Sequence, residues 1–146
     1  MTTTVKQLLE RKGSEVFSVR ADQTVYEALE QMAEKNVGAL LVVDGQGNPV
    51  GILSERDYAR KVILLDKSSR ETPVSEVMTS ELVSARPEQT VHECMEMATH
   101  QRIRHFPVLD ADGRLLGMLS IGDLVKALLD EQASTIEQLE SYIASG

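Results

Sequence analysis

The chain repeats itself. Residues 18–60 return as residues 84–126 at a constant offset of 66, and 14 of the 43 aligned positions are identical. Thr24-Val25-x-Glu27 returns as Thr90-Val91-x-Glu93, and Asp44-x-x-Gly47 as Asp110-x-x-Gly113. Gly51-x-Leu53-Ser54-x-x-Asp57 returns as Gly117-x-Leu119-Ser120-x-x-Asp123. Such a repeat constrains the fold before local propensity is weighed, because each copy must form the same supersecondary unit. In a chain of 146 residues, each copy alone would bury too little surface, whereas two packed together can share a core. The expectation is therefore two similar units with a pseudo-symmetric groove between them.

Each copy reads helix, strand, strand, helix, preceded by a short strand. Thr24 and Glu27 form the pattern of a capping box, followed by Val25, Ala28, Leu29, Met32 and Ala33 at helical spacing. Asn36 and Gly38 end that helix. Ala39–Val43 is a continuous apolar run, the mark of a buried strand. Residues 44–49 are rich in turn formers, Val50–Leu53 is the returning strand, and Ser54 opens a helix to about Leu65. The second copy predicts a helix over Thr90–Gln101, strands over Phe106–Leu109 and Leu115–Leu119, and a helix over Ser120–Leu129. The leading strands are Val16–Val19 and Leu82–Ala85. Thr72-Pro73 reads as an N-cap with proline at the first helical position, starting a short helix through Met78 whose counterpart is Val5–Glu10. Ala133–Ile143 is a final helix with Ala133, Ile136, Leu139 and Ile143 on one stripe, which suits packing on its own domain or contact with a partner. The domain division is 1–66 for the first repeat with the N-terminal helix, 67–130 for the linker and second repeat, and 131–146 for an acidic C-terminal helix.

Charge excludes some functions. The net charge is −8, which argues against nonspecific binding to nucleic acid or to an anionic membrane. Four acids and no Lys or Arg follow Ala127, so half of that charge is in the tail. The N-terminal residues lack a signal-peptide pattern and no apolar run approaches about 18 residues, so a cytoplasmic protein is expected. The single Cys94 lies in a helical apolar pattern and reads as a small buried hydrophobe. His92 and His100 lie eight residues apart on one helix and read as solvent-facing, not as metal ligands. No nucleophile triad, HExxH, CxxC or P-loop occurs, so no enzyme is expected and no catalytic cofactor.

The informative element is the junction strand–Ser–x–x–Asp–helix, which occurs twice. Ser54 and Asp57, like Ser120 and Asp123, suit the first turn of a helix as caps. The same turn can also hold a ligand. Free N–H groups and a hydroxyl attract phosphate, and a carboxylate accepts the two hydroxyls of a ribose. Arg104 aligns with Gly38, so its charge is not part of the shared scaffold and could hold phosphate. Arg56, Arg60 and Lys61 form a second, weaker basic cluster beside Asp57.

Val37–Asp44 with Gly51–Asp57, and Arg104–Asp110 with Gly117–Asp123, resemble tandem CBS domains, the cystathionine β-synthase-type modules found in pairs as Bateman modules. The resemblance spans roughly residues 5–130. It implies an α+β fold: two β-α-β-β-α repeats packed sheet to sheet about a pseudo-two-fold, here with an added C-terminal helix. It implies two clefts for adenine nucleotides, a tendency to form homodimers, and no chemistry. Family members sense AMP, ADP, ATP, S-adenosylmethionine or NAD(H), and signal to a protein effector that the sequence does not name. By position, one cleft would take Asp123 for the ribose, Ser120 for phosphate or ribose, Thr24 and the backbone of Val37, Gly38 and Ala39 for adenine, and Met118 against its face. The other would take Asp57, Ser54, Thr90, the backbone of Ile103, Arg104 and His105, and Ile52 on the base, with Arg56 alongside. The alternative is a structural or interaction protein whose clefts stay empty.

Overall fold

The computed structural model describes residues 2–145. Among them the order is α1 (Val5–Lys12), β1 (Ser18–Arg20), α2 (Val25–Lys35), β2 (Ala39–Val43), β3 (Pro49–Ser54), α3 (Glu55–Tyr58), α4 (Val74–Val77), α5 (Val91–Gln101), β4 (His105–Leu109), β5 (Leu115–Ser120) and α6 (Ile121–Ser145). The fold is α+β, with the two repeats and the C-terminal helix that the sequence implies.

Packing groups the chain into two compact units, Glu15–Val83 and Met1–Ser14 with Ser84–Gly146. Division by sequence order at residue 66 and division by packing therefore differ. The N-terminal helix α1 buries Val5, Leu8 and Leu9 against Val91, Cys94, Phe106 and Leu124, all from the second repeat. Backbone bonds fix it there, from Val5 N–H to the Gln89 carbonyl (2.8 Å) and from Val91 N–H to that of Thr3 (2.9 Å). The linker helix α4 takes the same place in the other unit. It buries Val74 and Val77 with Val19, Val25, Leu40 and Leu53, and Val74 N–H donates to the Gln23 carbonyl (2.8 Å).

Within each unit the local chemistry is repeated. Thr24 and Thr90 accept from the N–H of Glu27 and Glu93 while those glutamates accept from the threonine N–H, giving two capping boxes. Asn36 and Arg102, one repeat apart, end their helices in the left-handed conformation. In both hairpins an aspartate closes the turn. Asp44 Oδ1 accepts from Gln46 and Asn48 N–H, and Asp110 Oδ1 from Asp112 and Arg114 N–H. Gly47 and Gly113 supply the positive φ these turns need, at 83° and 81°.

Four expectations are corrected. The first unit has a three-stranded sheet, with β1 parallel to β2 and β2 antiparallel to β3, but the second has only the β4–β5 pair. The strand expected at Leu82–Ala85 shrinks to a single parallel bridge, Ala85 with Val108. Proline is the reason. In the first unit Leu41 N–H donates to Phe17 and Ala21 N–H donates to Val43. The aligned positions are Pro107 and Pro87, which have no N–H to give. Second, the helix opened by Ser54 is α-helical only to Tyr58 and continues as a π-helical turn, Ala59–Ile63. Third, Thr72 does not cap α4. Pro73 occupies that place, and the Thr72 hydroxyl donates to the Ser68 carbonyl at 2.6 Å. Fourth, the helices expected at Ser120–Leu129 and Ala133–Ile143 are one 25-residue helix. No glycine or proline interrupts residues 123–145, so nothing in the chain stops it. Glu131 ties its middle to the unit, accepting from Thr3 N–H (2.6 Å) and bonding His92 (2.9 Å).

Candidate functional site

The Ser–x–x–Asp turn is built alike in both units. Ser54 is the N-cap of α3, its hydroxyl accepting from Asp57 N–H at 3.1 Å while Asp57 Oδ2 accepts from Ser54 N–H at 3.1 Å. Ser120 and Asp123 repeat this at 3.2 and 2.8 Å. Each turn is pinned to the segment before its hairpin. Glu55 N–H donates to the Gly38 carbonyl (3.0 Å), and Ile121 N–H to that of Arg104 (2.9 Å). The local fold thus brings Ser54 and Asp57 beside Gly38, and Ser120 and Asp123 beside Arg104. Strand register completes the neighbourhood, pairing Ala39 with Ser54 and His105 with Ser120.

The surroundings of the two carboxylates differ. Asp57 Oδ1 lies 3.2 Å from Lys61 Nζ, one helical turn on, and accepts from the Thr79 hydroxyl at 3.3 Å. Asp123 Oδ2 lies 2.6 Å from Nζ of Lys12, which comes from α1. Burial alone would push the Asp123 pKa up. The bond from Lys12, the Ser120 N–H and the lysine charge outweigh it, and the group is held below the ordinary aspartate value. Lys12 also donates to the Met118 carbonyl at 2.5 Å.

The other predicted residues take these places. Thr24 and Thr90 are half-buried helix caps. Val37 and Ile103 close the ends of α2 and α5, donating to the Met32 and Ala98 carbonyls at 3.0 Å each. The Ile52 backbone pairs both ways with Thr79 at 2.9 Å. Arg56 and Arg104 are exposed, and neither is in an ion pair among the described residues.

Lys12 and Thr79 escaped the sequence reading. Lys12 lies 111 residues from Asp123, and no spacing rule links them. Lys61 belongs to the basic cluster beside Asp57, and its i,i+4 spacing from Asp57 is legible in the sequence. Cys94 is fully buried, and burial pushes its thiol up to about 11, which suits a core residue and not a nucleophile. Among the described residues no group of His, Cys, Asp and Glu could hold a metal, and no helix is long and apolar enough to cross a membrane.

Comparison with known proteins agrees with this architecture. The family model for the CBS domain matches residues 4–64 and again 74–130. The mitochondrial CBS domain-containing protein CBSX3 of Arabidopsis thaliana is 39% identical over 99% of this chain and 74% of its own length. A solved CBS-domain protein of Burkholderia ambifaria is 48% identical, with a TM-score of 0.84 over 89% of this chain and 96% of that one. At 23% identity the likeness is of fold alone to the CBS domain pair of MJ0100, solved with 5′-methylthioadenosine and S-adenosyl-L-methionine (TM-score 0.78; 90% and 99% covered). The doubled family match, the relatives and the repeated strand–Ser–x–x–Asp–helix turn lead to one conclusion: this chain belongs to the CBS-domain family and carries its two domains as a pair.

Proposed function

We propose that this CBS pair is a regulatory sensor of adenine nucleotides, AMP, ADP, ATP or NAD(H), that binds without converting its ligand and signals to a partner protein. The reading rests on one observation, the Ser–x–x–Asp turn built alike in both units. In it a hydroxyl, backbone N–H groups and a carboxylate share the first turn of a helix. These are the groups that a phosphate and a ribose diol require. The adenosine compounds bound by the MJ0100 pair support the ligand class. Within its own unit each turn would be joined by the helix-end backbone it is bonded to: Ser54, Asp57, Ile52 and Arg56 with Val37–Ala39, and Ser120, Asp123 and Met118 with Ile103–His105. A ligand favours the conformation it binds best, and the effector reads that shift in population. Calorimetric titration of AMP, ATP and NADH tests the reading. Saturable binding that Asp57→Ala and Asp123→Ala weaken supports it, and no binding of any of the three overturns it.

A second reading has its own observation. Both carboxylates already have lysine partners and internal N–H bonds, as they would in a protein whose clefts stay empty. In that case Asp→Ala lowers melting temperature and no ligand raises it.

Self-association is part of the proposal, and α6 supplies the surface. Val125, Leu129, Ile136, Leu139 and Ile143 are exposed by 42–75%, and with Gln132 they fall at alternating steps of four and three. That is the seam of a coiled coil. An antiparallel second copy sets Lys126 near the partner helix's acidic end at position 140, whereas a parallel copy gathers the tail acids of both chains.

A further inference from the structure

The two ribose-holding turns share a scaffold, but their carboxylates have different neighbours. The cause lies in the helix that leads into each unit. In the first unit α4 stops at Val77, and the chain turns so that Thr79 pairs with Ile52 through two 2.9 Å backbone bonds. The neutral Thr79 hydroxyl then reaches Asp57 Oδ1. In the second unit α1 runs on to Lys12. The Lys12 ammonium meets the Met118 carbonyl, one repeat on from Ile52, and reaches Asp123 Oδ2. Lys61 differs from Lys12 in origin. It comes from the turn that follows Asp57 itself and is anchored on the Val77 carbonyl at 3.1 Å. Only at Asp123 does the cation arrive from a separate element.

Asp123 Oδ2 already accepts from Ser120 N–H and from Lys12. A ribose diol that takes both carboxylate oxygens must share or displace the ammonium. Lys12 is only about one-third exposed, so a displaced ammonium needs a new anion close by. A nucleotide brings one in its phosphate, and a flexible lysine stem can follow it. A neutral thioether brings none, and a sulfonium adds a like charge. We infer that Lys12 is a specificity-determining residue that makes the Asp123 site select phosphate-bearing adenosine compounds over neutral or cationic ones.

This inference rests on the nucleotide-binding reading of Asp123, and the test separates the two. AMP and 5′-methylthioadenosine are titrated calorimetrically into the full-length Asp57→Ala protein, which leaves one intact carboxylate, and into the same protein carrying Lys12→Met, Lys12→Arg or Asp123→Ala. Circular dichroism checks that each is folded. With Lys12 present, AMP is expected to bind more tightly than the thioether. Lys12→Met should weaken AMP about 10- to 100-fold, the worth of one charge-assisted bond, and leave the thioether unchanged or tighter. Lys12→Arg should keep the preference, and it remains informative if the methionine variant fails to fold. An unchanged AMP-to-thioether ratio in Lys12→Met, or a lost preference in a folded Lys12→Arg, overturns the role of Lys12 alone. If Asp123→Ala binds both compounds normally, or neither binds when Asp123 is present, the parent reading fails and this inference with it.

Discussion

At the scale of single residues, Gly51 and Gly117 illustrate how one repeated position acquires two environments. A Cβ on Gly51 would lie 2.7 Å from Met78 Sδ and 2.8 Å from the Thr79 carbonyl oxygen, which is backbone held by its pairing with Ile52. A Cβ on Gly117 would lie 2.7 Å from Leu9 Cδ2, the far end of a side chain that can turn. Gly51→Ala is therefore expected to cost about 1–3 kcal/mol, and Gly117→Ala about 1 kcal/mol or less. Urea unfolding of the two variants measures the difference, and equal costs would count against it. Both glycines were legible in the sequence as repeated positions. The backbone that crowds only one of them was not, because it comes from the chain after α4, whose path was not encoded in the repeat.

At the scale of elements, α6 changes character along one helix, from a core-facing start to an exposed apolar stripe. Its first turns bury Leu124 and Ala127 in the core of the second unit, and Glu131 ties it to Thr3 and His92. Beyond Glu131 every apolar side chain of the seam is exposed by more than half. The proposed pairing through α6 predicts that the full chain has the mass of a dimer and that deleting residues 133–146 gives a folded monomer, read by light scattering coupled to size exclusion. A shortened chain with the mass of the dimer would refute pairing through this helix. The separate tail helix expected from sequence was an error of punctuation. The pattern changes from a core-facing stripe to an exposed seam near Leu129, and only the continuous backbone shows that no break accompanies the change.

At the scale of the whole molecule, acid should loosen the fold through several carboxylates at once. Asp123, Glu131, Asp44 and Glu27 are each held below their ordinary values. At Asp123 and Glu131 burial opposes the shift and the bonds to Lys12, Ser120, Thr3 and His92 overcome it; at Glu27 and Asp44 the leading cause is hydrogen bonding. A depressed folded pKa contributes stability that is complete above the unfolded value. That contribution is lost as pH falls through the folded value. Melting temperature is therefore expected to hold down to about pH 5 and to fall below about pH 4, where free carboxylates begin to protonate. Lys12→Met should make that fall shallower, because it removes one cause of the Asp123 shift. A melting temperature that rises on acidification would contradict the assignment. By itself, the sequence determined the duplication, the capping boxes, the apolar strands and both Ser–x–x–Asp turns, since all are local patterns read over a few residues. The tertiary structure decided which leading helix serves which repeat, why the second sheet lost a strand, and which lysine reaches Asp123. Those depend on contacts between residues far apart in the chain, such as Lys12 and Asp123, where no periodicity connects the partners.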